Sequence, residues 1–170
     1  MKAEELRALQ APLKQRYRDE PGTARITLSA RGNLDEGITC SVETGKALVQ
    51  AGLHPATGGD GLSACSGDML LQALVACAGV TLRAVATALD IPMHGGSVVA
   101  EGDLDFRGTL GVSREAAVGF ADIRLRFELD TDASEEQLQN LLKLTERYCV
   151  VYQTLRRTPE VALSVSKATA

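Results

Sequence analysis

The sequence predicts an α+β fold with an antiparallel sheet. Its segments follow the order helix, two strands, helix, two long strands, helix, strand. Single strands and helices do not alternate regularly, as they would in a parallel α/β sheet. At 170 residues the chain is long enough for one domain with a substantial core and too short for two ordinary ones. We therefore expect a single domain over residues 1–170.

The first predicted element is a short amphipathic helix from Ala3 to Arg18, in which apolar residues recur at helical spacing among charges. Pro12 is expected to interrupt or kink it. A strand follows from Thr23 to Ala30, where apolar and polar residues alternate. Ile38 to Glu43 is expected to pair with that strand as a hairpin across a turn at Arg31-Gly32-Asn33.

A glycine-rich loop, Gly52 to Gly61, leads into the longest helical signal of the chain, which runs from about Gly67 to Leu89. Ser66 is the expected N-cap of this helix. The helix is apolar almost all round, so we expect it to be buried at the centre of the domain.

The second half of the chain predicts two strands, a helix and a last strand. Residues alternate between apolar and charged in Ser97 to Arg107 and in Ala117 to Asp130, which is typical of strands with one covered face. Ser134 to Gln137 matches a capping box and begins a helix that runs towards Cys149. The last predicted strand is Val161 to Ser166.

Composition excludes several classes of function. The chain has 18 Lys and Arg against 22 Asp and Glu, without a basic stripe that would follow nucleic acid. No apolar run approaches the roughly 20 residues of a membrane span, and the N-terminus lacks the apolar segment of a signal peptide. We expect a cytoplasmic protein. His54 and His94 are far apart and no cysteine pair has zinc-type spacing, so the sequence predicts neither a metal nor a cofactor.

Four cysteines, Cys40, Cys65, Cys77 and Cys149, remain as candidate functional residues. In a reducing cytosol a pair that bonds is more often transient and catalytic than structural. Packing is the competing explanation, because free cysteine behaves as a small hydrophobe. We favour packing for Cys40 and for Cys65, although Cys65 is also an alternative resolving thiol. Taken with its sequence context, the pair Cys77 and Cys149 favours redox chemistry.

That context carries a resemblance. The glycine-rich loop, the helix containing Gly67 to Cys77, two following strands and the segment Glu146 to Leu155 resemble the OsmC/Ohr family of osmotically inducible and organic hydroperoxide resistance proteins, in its OsmC-like branch. The resemblance runs from about Thr23 to the end and leaves residues 1–21 as an N-terminal helical extension. It implies an intertwined homodimer, with antiparallel sheets wrapped around long central helices.

The resemblance also implies a function, the thiol-dependent reduction of organic hydroperoxides and of hydrogen peroxide. Cys77 resembles the peroxidatic cysteine and Cys149 the resolving one. A thiolate attacks the peroxide and becomes a sulfenic acid, and a second thiol condenses with it to form a disulfide. An external dithiol then reduces that disulfide. The alternative is a stress-associated protein of the same fold with weak or no peroxidase activity that binds a small hydrophobic ligand.

Activation of Cys77 needs a partner, since this thiol lies about ten residues into an apolar helix, where its pKa should rise. The family supplies an arginine from the N-terminal hairpin, for which Arg31 and Arg25 are the candidates, with Arg31 slightly preferred. The family's glutamate resembles the position of Gly67. Asp68 follows it but should point away from Cys77.

Many relatives have proline after the resolving cysteine, whereas this chain has Val150. Without the proline, the helix that starts at Ser134 is free to run through Cys149 to Leu155. In that case resolution by Cys149 would be slow or absent.

Overall fold

The computed structural model describes residues 2–19, 31–34, 39–43, 48–111 and 113–167. Helices and small sheets are combined in this part of the chain, which confirms the predicted α+β class. The helices are α1 (Ala3–Asp19), α2 (Ser66–Ala88), α3 (Phe106–Thr109), α4 (Glu135–Tyr148) and α5 (Val150–Arg156). The strands are β1 (Arg31–Leu34), β2 (Thr39–Glu43), β3 (Leu48–Gly52), β4 (Ala64–Cys65), β5 (Gly95–Asp103) and β6 (Asp122–Asp130).

Two sheets are formed by strands that are neighbours in sequence. Strands β1 to β4 lie side by side in chain order, with antiparallel pairs except for the short parallel pair of β3 and β4. Strands β5 and β6 form an antiparallel pair in which Gly95 lies opposite Asp130 and Asp103 lies opposite Asp122.

The predicted turn at residues 31–33 is wrong. These residues belong to β1, where Arg31 lies opposite Glu43 of β2. The predicted strand at residues 23–30 lies outside the described residues. Strand β2 lies within the strand predicted at residues 38–43, and in the described residues it pairs with β1 and β3. A short polar stretch such as residues 31–33 fits a turn or a strand equally well.

Helix starts and interruptions also differ from the predictions. Helix α1 continues past Pro12 to Asp19 as one element, so the expected interruption is wrong. Helix α2 begins at Ser66 and has Cys65, not Ser66, at its N-cap, without a side-chain capping bond. The capping box of α4 is confirmed, since Ser134 Oγ accepts from the Gln137 amide and Gln137 Oε1 accepts from the Ser134 amide.

The long strand pair and the C-terminus differ from the predictions made from alternating apolar and polar residues, because strand formation also depends on pairing. Strand β5 ends at Asp103, before the short helix α3, and β6 begins at Asp122. Residues 158–167 form no strand in the single chain. Val161, Leu163 and Val165 there are 80%, 98% and 97% exposed. An alternating segment becomes a strand only where another strand pairs with it, and none of the described strands does so here.

The core lies between α2, α4 and the inner face of the β5 and β6 pair. Buried apolar residues of α2 face Leu141 of α4, and the β6 side chains Phe127 and Leu129 close the cluster. The α2 members of the core are Leu82, Val85 and Ala86. Ala78 and Leu74 are buried one and two turns before Leu82 on the same helix. The core therefore fixes α2 against α4.

One side of α2 is uncovered in the single chain. Val80 is 72% exposed and Leu70 is 38% exposed, so the expectation that this helix is buried all round is wrong for one copy. By length and composition α2 is apolar enough to cross a membrane, contrary to the sequence expectation. The core helices of soluble proteins meet the same criteria, and α2 packs against β5, α4 and α5.

Candidate redox site

The fold brings Cys77 and Cys149 together, although 72 positions of sequence separate them. Cys77 lies in the middle of α2, and Cys149 lies between α4 and α5, which both pack against α2. The side chains of the two cysteines are hydrogen-bonded to each other, and both are free thiols. Cys149 is 1% exposed, whereas Cys77 is half-buried. The more accessible sulfur is therefore that of Cys77.

Cys149 sits at a break between two helices. Its backbone is extended, with φ −72° and ψ 108°, and it serves both as the C-cap of α4 and as the N-cap of α5. The prediction that the helix runs through Cys149 is thus wrong, even though Val150 replaces proline. Val150 and Val151 are β-branched, which lowers helix propensity directly after the break.

The break turns the first amides of α5 towards Cys77. Burial raises the pKa of the Cys77 thiol, but hydrogen bonds from the backbone N–H groups of Val151 and Val150, the Cys149 thiol and the Thr81 hydroxyl lower it. The net effect is a pKa below the usual value for cysteine. Amides at a helix start stabilise a thiolate by donating to it and by the positive end of the helix dipole.

The pKa of Cys149 moves in the opposite direction. Burial is the largest cause and raises it. The Tyr152 amide and, less strongly, the Val151 amide lower it, but the bond to Cys77 and the negative charge on Cys77 raise it, so that the net shift is upward. A thiol that donates to a neighbouring thiolate keeps its proton more firmly. The first proton to leave the pair as pH rises is therefore that of Cys77, not that of Cys149.

The predicted arginine cannot be placed among these contacts. Arg25 lies outside the described residues, and for Arg31 the structure describes the backbone in β1 and not the side chain. Within the described residues, the lowering of the Cys77 pKa comes from amides, a thiol and a hydroxyl. The backbone amides are thus a described source of stabilisation for the Cys77 thiolate, and the contribution of Arg31 or Arg25 stays a prediction.

The position of the family's glutamate is apolar in this chain. A Cβ on Gly67 would lie 3.4 Å from Phe120, 3.6 Å from the Cys65 sulfur and 3.7 Å from Leu104. Asp68 is exposed in the first turn of α2, where a carboxylate stabilises the helix start.

A cavity of about 340 Å³ opens beside Cys149. Apolar side chains of α2, β6 and α4 make up much of its wall, and polar groups of α4 and α5 complete it. Its lining consists of Ala78, Leu125, Arg126, Phe127, Leu142, Thr145, Glu146, Cys149 and Tyr152. A small molecule with an apolar body fits such a space.

The two histidines lie elsewhere. His54 Nδ1 accepts a hydrogen bond from the Ala56 amide at 3.0 Å, and its ring stacks on Phe106. His94 is paired with Asp132 at 2.8 Å on the surface, and this carboxylate raises the pKa of the imidazole. Among the described residues, no three His, Cys, Asp or Glu side chains are grouped as metal ligands would be.

Sequence reasoning found both cysteines and missed the groups that tune them. Thr81 follows Cys77 by four residues, which is the helical spacing that places two side chains side by side. The sequence therefore contained a signal for the contact between Thr81 and Cys77. The amides of Val150 and Val151 gave no such signal, since their direction depends on the break at Cys149.

A family model and several solved structures are similar to this chain. The family model of OsmC-like protein matches residues 58–164. The OsmC-like protein from Mycoplasma pneumoniae has a similar structure at 16% identity and a TM-score of 0.66, covering 78% of this chain and 89% of that one. An organic hydroperoxide resistance protein OsmC from Legionella pneumophila is 17% identical, with a TM-score of 0.61 and coverage of 78% and 90%.

The organic hydroperoxide resistance protein OhrB of Bacillus subtilis is also similar in fold, at 16% identity and a TM-score of 0.54, with 78% of this chain and 93% of that chain covered. No curated protein sequence matches the chain. At these identities the solved structures establish the fold.

Proposed function

The chain belongs to the OsmC-like protein family, and we propose that it is a thiol-dependent peroxidase that reduces organic hydroperoxides. Cys77 is the proposed nucleophile and Cys149 the proposed resolving thiol. Proteins of similar fold are named for organic hydroperoxide resistance, which supports the class of substrate. No metal or organic cofactor is needed for this chemistry.

The observation that carries the proposal is the contact between two free thiols with opposite pKa shifts. The lowered pKa of Cys77 makes it the better nucleophile near neutral pH, because the thiolate is the reactive form. The raised pKa of Cys149 keeps that thiol protonated until it is needed. Since the two side chains already touch, the second step requires little movement.

The reaction is written in two steps. The Cys77 thiolate attacks the terminal peroxide oxygen, the O–O bond breaks, and the alkoxide takes a proton and leaves as an alcohol. Sulfur is oxidised by two electrons to a sulfenic acid as the peroxide is reduced. Cys149 then attacks the sulfenic sulfur. An S–S bond forms, and the hydroxyl group leaves with the Cys149 proton as water.

An external dithiol completes the cycle by thiol–disulfide exchange, and the proposal places the protein in the cytoplasm, where such reductants are abundant. The apolar wall of the cavity beside Cys149 favours peroxides with an organic tail over hydrogen peroxide. Hydrogen peroxide remains a slower substrate in this proposal.

The proposal includes a homodimer. The side chains of Val80 on α2 and of the C-terminal residues Val161, Leu163 and Val165 are largely exposed, and exposed apolar surface often marks an interface. In an intertwined dimer a partner would cover both.

Peroxide consumption tests the proposed activity. Purified protein with excess dithiothreitol is given cumene hydroperoxide, and the remaining peroxide is measured over time. We expect many turnovers per chain, and none from Cys77→Ser. Cys65→Ser is the matched control, because Cys65 lies outside the thiol pair, and it should retain the activity. Equal peroxide loss with wild type and Cys77→Ser would contradict the proposal.

A second function is favoured by one observation. The cavity beside Cys149 is large enough for a small hydrophobic molecule even without any reaction, and the apolar surroundings of Gly67 lack the family's acidic group. On this alternative the chain binds a hydrophobic ligand and has weak or no peroxidase activity. Saturable binding of a non-peroxide analogue such as cumyl alcohol, together with no peroxide turnover, would favour it.

A further inference from the structure

The carbonyl of Glu146, in the last turn of α4, has an unusual partner. In an uninterrupted α-helix the carbonyl of residue 146 accepts the N–H of residue 150. Here the extended backbone of Cys149 directs the Val150 amide to the Cys77 sulfur instead. The side-chain amide of Gln153 donates to the Glu146 carbonyl at 2.8 Å. Gln153 thus bonds to the Glu146 carbonyl, which would accept the Val150 N–H in a continuous helix.

The break has support on either side. The Cys149 amide still donates to the Thr145 carbonyl at 2.9 Å, so α4 keeps its regular pattern up to that point. The Gln153 amide donates to the Cys149 carbonyl at 2.9 Å, which is the first helical bond of α5. Arg156 of α5 forms an ion pair with the Glu146 carboxylate at 2.8 Å. Two side chains of α5 therefore reach back to one residue of α4.

We infer that Gln153 is a positioning residue, which holds the break between α4 and α5 by occupying the Glu146 carbonyl and so leaves the Val150 amide bound to the Cys77 sulfur. Its meaning for catalysis rests on the proposed function. Gln153 does not touch the peroxide. It acts through the direction of a backbone amide.

The competing state is one continuous helix over α4 and α5. In that state the Val150 and Val151 amides return to the carbonyls of Glu146 and Arg147, and the Cys77 thiolate loses both donors. Two consecutive valines disfavour this helix only modestly. A side chain that satisfies the released Glu146 carbonyl adds to that preference and favours the break.

Gln153→Met tests the inference, because methionine has nearly the same length, favours helix and cannot donate a hydrogen bond. The readout is the rate at which iodoacetamide alkylates Cys77 as a function of pH, resolved by peptide mass spectrometry. We expect the midpoint to move to higher pH and the rate at pH 7 to fall about two- to tenfold. Gln153→Lys, which keeps a donor, should restore most of the rate.

Two further variants separate positioning from general destabilisation. Gln139→Met changes an exposed glutamine of α4 and should leave the pH profile unchanged. Val150→Pro removes the Val150 N–H and forbids the continuous helix, so this variant should itself move the midpoint to higher pH, and adding Gln153→Met to it should have no further effect. An unchanged profile in Gln153→Met, or an equal shift with and without Val150→Pro, would overturn the inference. Alkylation does not depend on peroxide turnover, so an absence of peroxidase activity would leave this test valid.

Discussion

At the scale of single residues, two chemically identical thiols differ in how firmly each holds its proton. Cys77 accepts four hydrogen bonds that favour its charged form, and Cys149 donates one of them from a buried position. Neither burial nor the helix position of Cys77 alone would produce this difference, since both raise the pKa of a thiol. The asymmetry arises from the contact itself. Under the proposed function, this asymmetry makes Cys77 of α2 the nucleophile and Cys149 at the helix break the resolving thiol.

The lowered pKa of Cys77 predicts a pH dependence. A thiol with a lowered pKa is ionised at lower pH than a free cysteine, so its alkylation by iodoacetamide should rise with pH through a midpoint below that of free cysteine. Protonation at lower pH should abolish the reaction. Peptide mass spectrometry of timed samples gives the profile for each cysteine separately. A Cys77 midpoint at or above that of Cys149 would contradict the assignment.

The order of the two steps predicts the behaviour of Cys149→Ser. This variant should still consume about one equivalent of hydroperoxide per chain, because the nucleophile is intact, and should then stop as a sulfenic acid. Dimedone labelling of Cys77 followed by mass spectrometry detects that species. Loss of the first equivalent as well, with the fold retained by circular dichroism, would contradict a role limited to resolution.

At the scale of elements, the sequence predicted those helices and caps that depend on interactions between neighbouring residues. The capping box at Ser134 and the long α2 helix follow from neighbouring residues, and both are found. The break at Cys149 lies where α4 and α5 pack against the distant helix α2, and β1 depends on pairing with β2; neither was predicted. The proposed redox pair was predicted through a family resemblance, whereas the amides that lower the Cys77 pKa required the backbone direction at Val150.

The capping box predicts a stability effect. Ser134→Ala removes the acceptor of the Gln137 amide and should lower the free energy of unfolding by about 1 kcal/mol. Urea denaturation followed by circular dichroism measures it. Gln139→Ala, an exposed change on the same helix, should stay within about 0.5 kcal/mol of wild type. Equal effects of the two substitutions would mean that the cap contributes nothing beyond helix propensity.

At the scale of the whole molecule, the described residues leave several large apolar side chains exposed to water. Leu163 and Val165 are almost fully exposed in a segment whose alternation is typical of a strand, and Val80 projects from the centre of α2. Proteins usually leave apolar side chains this exposed only where another molecule binds and covers them. The predicted strand from Val161 to Ser166 is not formed in the single chain, and in the proposed homodimer a partner would supply the missing pairing.

Val80→Asp tests the homodimer. A charge placed on the uncovered side of α2 should dissociate the dimer, because burying an unpaired carboxylate in an apolar interface costs several kcal/mol. Light scattering after size exclusion gives the mass directly, and wild type should elute as two chains. Gln139→Asp adds the same charge to the exposed face of α4 and should leave the mass unchanged. A wild-type protein with the mass of one chain would contradict the proposed assembly.

The central claim, that Cys77 and Cys149 act as one redox pair, is tested most directly by counting thiols after a stoichiometric dose of organic hydroperoxide. Reduced protein is treated with one equivalent of cumene hydroperoxide, its remaining thiols are alkylated, and its peptides are mapped by mass spectrometry without reduction. We predict the loss of two thiols per chain and a single crosslink, between Cys77 and Cys149. Four unchanged thiols, or a crosslink that excludes Cys77, would contradict it.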